Sequence, residues 1–160
     1  VASRQQGLIV ARGNPLGITR LADLARPEVR FVNRQAGSGT RMLLEMMLAA
    51  EGPPLESING YNSAEFTHSA VAAYIASGMA DAGIGMQAAA AQFKLDFLPL
   101  VREHYYFALR IDAVDEPAMR QLLDLMRDPA YHRLVAALPG YDAAGTGDLV
   151  SIADAFSLQS

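Results

Sequence analysis

Apolar residues come in short blocks divided by strong turn signals. Gly7-Leu8-Ile9-Val10-Ala11 is an unbroken apolar run closed by Arg12-Gly13-Asn14-Pro15, which predicts a buried strand. The six residues before it are polar and predict no element. Ile18, Leu21 and Leu24 recur at helical spacing, with Thr19 as the N-cap and Pro27 beyond the end, so a short helix is expected within 16–25. Phe31-Val32-Asn33 reads as a strand. The apolar run from Met42 to Ala50 reads as a helix, stopped at Gly52 by Pro53-Pro54. Residues 58–61 read as a short strand.

A second helix is expected to reach Gly78, with Val71 and Ile75 on one face. Asn62-x-x-Glu65 and Thr67 are both able to cap its start. Residues 81–86 predict a strand that opens a third helix over 87–93. Gly83 and Gly85 in that strand admit either tight helix packing or close approach of a ligand. Residues 96–101 form a strand that Pro99 places near an edge or an end. Residues 105–111 are the longest strand candidate. Pro117 and Pro129 each stand in the first turn of a predicted helix. The helix from Pro129 is expected to end at Pro139-Gly140, ahead of a small-residue loop over 143–148. Leu149, Ile152, Ala153 and Phe156 mark a terminal helix.

Strands and helices alternate from residue 31 to about 100 with short connections. That predicts an α/β fold: a three-layer parallel or mixed sheet with helices on both faces. Ligands in such sheets bind at the carboxyl ends of the strands. The loops after Asn33, Tyr61 and Met86 are expected at that end.

One of these loops carries unusual chemistry. Arg34-Gln35-Ala36-Gly37-Ser38-Gly39-Thr40-Arg41 joins a strand to a helix start. Backbone N–H groups at a helix start point together, and their partial positive charge attracts anions. Gly37 and Gly39 permit close approach, Ser38 and Thr40 add hydroxyls, and Arg34 and Arg41 add charge that a helix start ordinarily disfavours. An oxyanion between them resolves the conflict. The competing reading is an N-cap turn with solvated arginines, supported by the Arg41 and Glu45 spacing. The ending of a nucleotide-binding P-loop is missing. Glu65-Phe66-Thr67-His68 is a second helix start that could offer N–H groups, a hydroxyl and an imidazole; an ordinary capped helix with a surface histidine competes with it.

Composition narrows the function. A net charge of −4 argues against a general nucleic-acid surface. The absence of cysteine excludes disulfides, thiolate metal sites and thiol nucleophiles, and fits a reducing compartment. His68, His104 and His132 lack metal-ligand spacing. Ser38 lacks the surroundings of a hydrolase elbow, and no nucleophile–base pair stands out, so an enzyme is not expected. No apolar run is long enough to cross a membrane. The start at Val1, without a signal-like segment, reads as a piece of something longer or a processed chain.

The ordered set Gly7-Leu8-Ile9-Val10, Gly13-Asn14-Pro15, Arg30 to Arg41, Gly60-Tyr61, Glu65 to His68, Val71-Ala72-Ala73, Gly78 to Gly85, Leu95 to Leu100 and Leu138 to Asp142 resembles the periplasmic-binding-protein-like domain of cytoplasmic bacterial proteins. Such domains accompany DNA-binding regulators and molybdopterin-biosynthesis enzymes. They are similar to the molybdate- and tungstate-binding proteins of ABC importers, whose type II fold has two lobes. The resemblance implies one complete lobe over 12–103. Residues 1–11 and 104–160 would be crossing strands and the remainder of the other lobe, whose first part is missing. It also implies a ligand-binding sensor in the cytoplasm, closing on molybdate, tungstate, sulfate or phosphate and reporting it to a fused DNA-binding or molybdopterin domain. Arg34, Ser38 and Thr40 would hold the oxyanion, with Thr67 and His68 contributing from the second turn. No cofactor, membrane or direct nucleic-acid contact is implied. A periplasmic importer component and a degenerate effector module for an organic ligand are the alternatives. Apolar surface left by the missing half would favour self-association.

Overall fold

The computed structural model describes residues 1–157. The chain forms two compact units: Arg4–Glu103, and Val1–Ser3 together with the residues from His104 onward. The larger unit holds most of β1 (Ala2–Val10), then β2 (Phe31–Arg34), α1 (Gly39–Glu51), β3 (Ala64–Glu65), α2 (His68–Ala76), β4 (Ala82–Met86), α3 (Gln87–Gln92) and most of β5 (Asp96–Tyr105). The sheet order is β3-β2-β4-β1-β5. β2 runs parallel to β3 and β4, whereas β1 is antiparallel to β4 with Gln6 opposite Met86. The sheet is therefore mixed, and β5 lies at its edge, as Pro99 predicts.

Alternation along the strands divides the core between two faces. Leu8, Val10, Phe31 and Ile84 pack with Leu44 and Leu48 of α1 on one side. Ile9 and Val32 pack with Val71 and Ile75 of α2 and with Ala89 and Ala90 of α3 on the other. Helices cover both faces, so the middle of the sheet is apolar on both sides, and Ala82 to Ile84 are fully buried. Gly83 and Gly85 serve this packing. A Cβ at Gly83 would come within 2.7 Å of Val71, and one at Gly85 within 2.7 Å of Ile9.

Several sequence expectations are corrected. Residues 2–6 are not featureless but form the first half of β1. The helix expected within 16–25 is a single 3-10 turn, Leu21–Ala25, in which the Asp23 carboxylate accepts from the Thr19 amide and hydroxyl. Residues 58–61 form a turn, not a strand. Gly60 has φ +88° and lies against the Phe31 carbonyl, so Ile58 and Tyr61 are buried by packing rather than by a ladder. The actual strand is the short β3, and its neighbour helix starts at Thr67, not Asn62. Residues 105–111 are not a strand either: β5 ends at Tyr105, and the segment leads into a 3-10 turn at Ile111–Ala113.

The smaller unit contains α4 (Pro117–Arg127), α5 (Pro129–Ala136), β6 (Tyr141–Asp142) and α6 (Ile152–Ser157). Glu116 and Asp128 stand at the caps of α4 and α5, each followed by proline. A cavity of about 600 Å³ within this unit is lined mainly by apolar side chains, including Phe107, Leu109, Leu122 and Met126. Aromatic residues of the expected 105–111 strand thus line a cavity. No helix among the described residues is long and apolar enough to cross a membrane.

Candidate anion site

β2 is buried along its whole length, although its last two residues are polar. Asn33 meets its needs locally: Nδ2 donates to the Tyr61 carbonyl at 3.2 Å, and Oδ1 accepts from the Arg34 amide at 2.8 Å. Arg34 does not. Only 9% of it is exposed, and one Nη donates to the Phe66 carbonyl at 2.9 Å, while its buried Nε has no partner among the described residues. Burial, and then the Arg4 guanidinium, holds its pKa below the ordinary arginine value. Arginine stays charged even so, and a buried cation without a carboxylate is costly unless something negative meets it.

Parallel pairing sets Arg34 opposite Glu65, and the Gln35 amide donates to the Glu65 carbonyl at 3.1 Å. The turns that leave β2 and β3 therefore emerge side by side, and each opens a helix. In the first, Gly37 takes φ +81°, a conformation that favours glycine. Ser38 is the N-cap, with Oγ accepting from the Arg41 amide at 3.3 Å. In the second, Thr67 is the N-cap, with Oγ1 accepting from the Ala70 amide at 3.0 Å. A hydroxyl that accepts as a cap keeps its own hydrogen to donate. The amides of Gly39, Thr40, His68 and Ser69 lie ahead of the intrahelical ladder of α1 and α2 and have no partner among the described residues. A Cβ at Gly37 or Gly39 would meet nothing within 4 Å, so the first turn faces open space.

His68 is half-buried, and its Nδ1 has no partner among the described residues. Burial first, then Arg34 and Arg4, lower its pKa to about 4, against a smaller opposing pull from Glu103. It is neutral at physiological pH and can donate from only one ring nitrogen.

The structure thus brings together Arg34, Gly37, Ser38, Gly39, Thr67 and His68. Thr40 lies in the first turn of α1 and is buried. Arg41 lies beside the same turn, where its Nη1 donates to the Arg34 carbonyl at 3.5 Å, and its charge is answered within the fold. Its Nε bonds Glu45 at 3.0 Å, and its guanidinium stacks 4.8 Å from the Tyr61 ring centre, whose hydroxyl donates to Glu45 at 2.7 Å. Sequence reasoning missed Arg4, Gln6 and Glu103. Arg4 Nε and Gln6 Nε2 both donate to Glu103 Oε2, at 2.6 and 2.9 Å. The signal was the period-two pattern of Leu8 and Val10 continued upstream: positions 4 and 6 lie in the same phase. No group of three or more metal-ligating side chains occurs among the described residues. The arrangement is rich in donors aimed at one sheet edge, which suits holding an anion.

Residues 1–127 match the PBP superfamily domain. An uncharacterized protein of Bacillus subtilis (strain 168), YvgK, is 35% identical over 150 residues, spanning 94% of this chain and 48% of its own. An uncharacterized Clostridium pasteurianum protein, from the 5′ region of a 2Fe-2S ferredoxin gene, is 32% identical over 111 residues, or 69% of this chain and 98% of its own. The chain thus spans about half the length of YvgK.

Among solved structures, PEB3 bound to L-phospholactate superposes with a TM-score of 0.58 at 17% identity, covering 89% of this chain and 66% of that one. The ancestral amino acid-binding protein AncCDT-1, a precursor of cyclohexadienyl dehydratase, also gives 0.58 at 17%, covering 85% and 58%. The substrate-binding domain of a molybdenum ABC transporter from Clostridium difficile gives 0.52 at 16%, covering 88% and 64%. These likenesses agree with the mixed sheet and two-sided helices in giving a type II periplasmic-binding-protein-like fold. The chain belongs to the PBP superfamily of ligand-binding domains.

Proposed function

We propose that this domain binds a small tetrahedral oxyanion at the start of α1 and α2, and that it acts as a sensor rather than a catalyst. The observation that carries the reading is Arg34: a buried guanidinium with an unpartnered Nε and no carboxylate, beside two helix starts with unpaired amides. An anion there would satisfy donors that the fold leaves unanswered. Molybdate, tungstate, sulfate and phosphate all fit that description. The neighbours' own ligands differ, from L-phospholactate to hydroxyectoine, so the reading rests on this chain's residues. Coupling to a DNA-binding or molybdopterin domain in the cytoplasm is part of the proposal, as is transport of the anion in its place.

Isothermal titration of the full-length protein with molybdate, tungstate, sulfate and phosphate tests it. Saturable heat with at least one anion is expected. A folded protein that gives heat with none of them refutes the reading. A second reading, an organic anion, draws on Phe66, which is 75% exposed beside Thr67 and would pack against an apolar substituent.

A further inference from the structure

Asn33 is wholly buried, yet it is polar and stands in β2 between Val32 and Arg34. Strand alternation puts its side chain on the face that Phe31 shares with α1, while Arg34 leaves on the face that Val32 shares with α2. Asn33 is therefore not a ligand of an anion held at the α2 start. Its bonds show what it does instead.

The amides of Asn33 and Gln35 face β3, donating to the carbonyls of Ser63 at 2.7 Å and Glu65 at 3.1 Å. The Arg34 amide, between them, faces β4. Pairing of β2 with β4 runs through Phe31↔Ala82 and Val32↔Gly83 and does not extend to Arg34. In that register the carbonyl that would take the Arg34 amide is that of Ile84. Asn33 Oδ1 takes it instead, at 2.8 Å. Nδ2 of the same side chain donates to the Tyr61 carbonyl at 3.2 Å. Exchanging the ends of this amide would set hydrogen against hydrogen and oxygen against oxygen, so one orientation fits both partners. No other side chain of this length offers both an acceptor and a donor. Arg41 Nη1 reaches the Arg34 carbonyl only at 3.5 Å, the limit of a hydrogen bond, so Asn33 is the close grip on this end of β2.

The consequence falls on the other face of the sheet. The strand end released from β4 is where the guanidinium departs, and its Nη meets the Phe66 carbonyl at 2.9 Å, just ahead of the α2 cap at Thr67. An Arg34 amide that paired with β4 would turn the backbone there and carry the guanidinium with it. We propose that Asn33 is the positioning residue for Arg34: by holding the Arg34 amide off β4 and tying the strand end to the Tyr61 turn, it aims the guanidinium at the α2 start. The inference rests on the oxyanion reading and adds to it a residue that the anion never touches.

Calorimetric titrations of the full-length protein with phosphate, sulfate, molybdate and tungstate compare the wild type with Asn33→Leu, which keeps the volume and loses both bonds. The variant, its fold checked by circular dichroism, is expected to bind the anion about tenfold more weakly. Asn33→Ser, a smaller side chain without the reach to Tyr61, is expected to lose at least about threefold and serves where Asn33→Leu does not fold. A role in folding alone would leave the contact between Arg34 and the anion intact. The second readout is therefore the nuclear magnetic resonance signal of Arg34 Nε–H, assigned by its absence in Arg34→Ala. Bound anion is expected to shift this signal in the wild type, and to shift it less than about half as far in the Asn33 variants at equal saturation. Wild-type affinity in the Asn33 variants, or an Arg34 signal that moves as far as in the wild type, overturns this inference and leaves the oxyanion site standing. Heat from none of the four anions with the wild type overturns both.

Discussion

Two arginines bracket the turn between β2 and α1, and the structure gives them opposite surroundings. Arg41 has Glu45 one helical turn on and the Tyr61 ring beneath it, so its charge is answered within the fold. Among the described residues Arg34 has a single carbonyl, a second guanidinium in its neighbourhood, and a buried Nε with no partner. Residue type and distance from the helix start are similar; what differs is the carboxylate within reach. A cation that the protein neutralises itself is part of its architecture. A cation that it buries and leaves unanswered is held for something else.

Each side of that contrast can be broken separately. The largest effect is expected from Arg34→Ala, which should weaken anion binding by more than about tenfold, while the melting temperature without ligand stays unchanged or rises. An unchanged affinity would remove Arg34 from the site. Acid comes next. The unfolded chain protonates His68 near its ordinary value of about 6.5, whereas the folded protein does so only at about 4. Between those values the unfolded state binds more protons, so stability falls as pH drops from about 6.5 to 4. After allowance for solvent screening of a half-buried ring, the loss is about 1–2 kcal/mol. Denaturant titrations across that range should show it, and His68→Gln should flatten the slope; a wild-type slope retained in the variant assigns the effect to another group.

Ser38→Ala and Thr67→Ala should each cost about 1 kcal/mol in chemical denaturation through loss of the cap. Each should also weaken the anion if its hydroxyl hydrogen donates to it. The smallest effect belongs to Arg41→Ala: about 0.5–1 kcal/mol of stability from the exposed ion pair and ring contact, with anion affinity kept within about twofold. A tenfold loss of affinity there would erase the distinction between the two arginines.

Much of the α/β lobe was legible because its signals are local. Ser38 and Thr67 announce helix starts, Gly52 and the prolines announce ends, and the buried run of β4 is continuous. What sequence reading lost was decided by distant contacts. Arg4 and Gln6 lie in a polar stretch that predicts no element, yet Gln6 is fully buried, and Glu103, far along the chain, accepts from both. Ile58 and Tyr61 look like a strand, yet they are buried by a turn folded against Phe31. Arg34 and Arg41 could not be told apart by type, because neither Phe66 nor the Tyr61 ring is a helical neighbour of either.

β1 is the one strand of the lobe whose pairing to β4 runs against the parallel set, and it sits between β4 and β5. Its partners come from the far end of the lobe, with Gln6 meeting Met86. Long-range pairing of this kind must close a large loop before it gains any contact, so it is slow. A chain emerging from synthesis makes β1 first and can seat it only after β4 exists. The carboxyl edge of the sheet is therefore among the last parts of the lobe to be finished, and a partly folded chain has its helix starts before β1 is paired with β4.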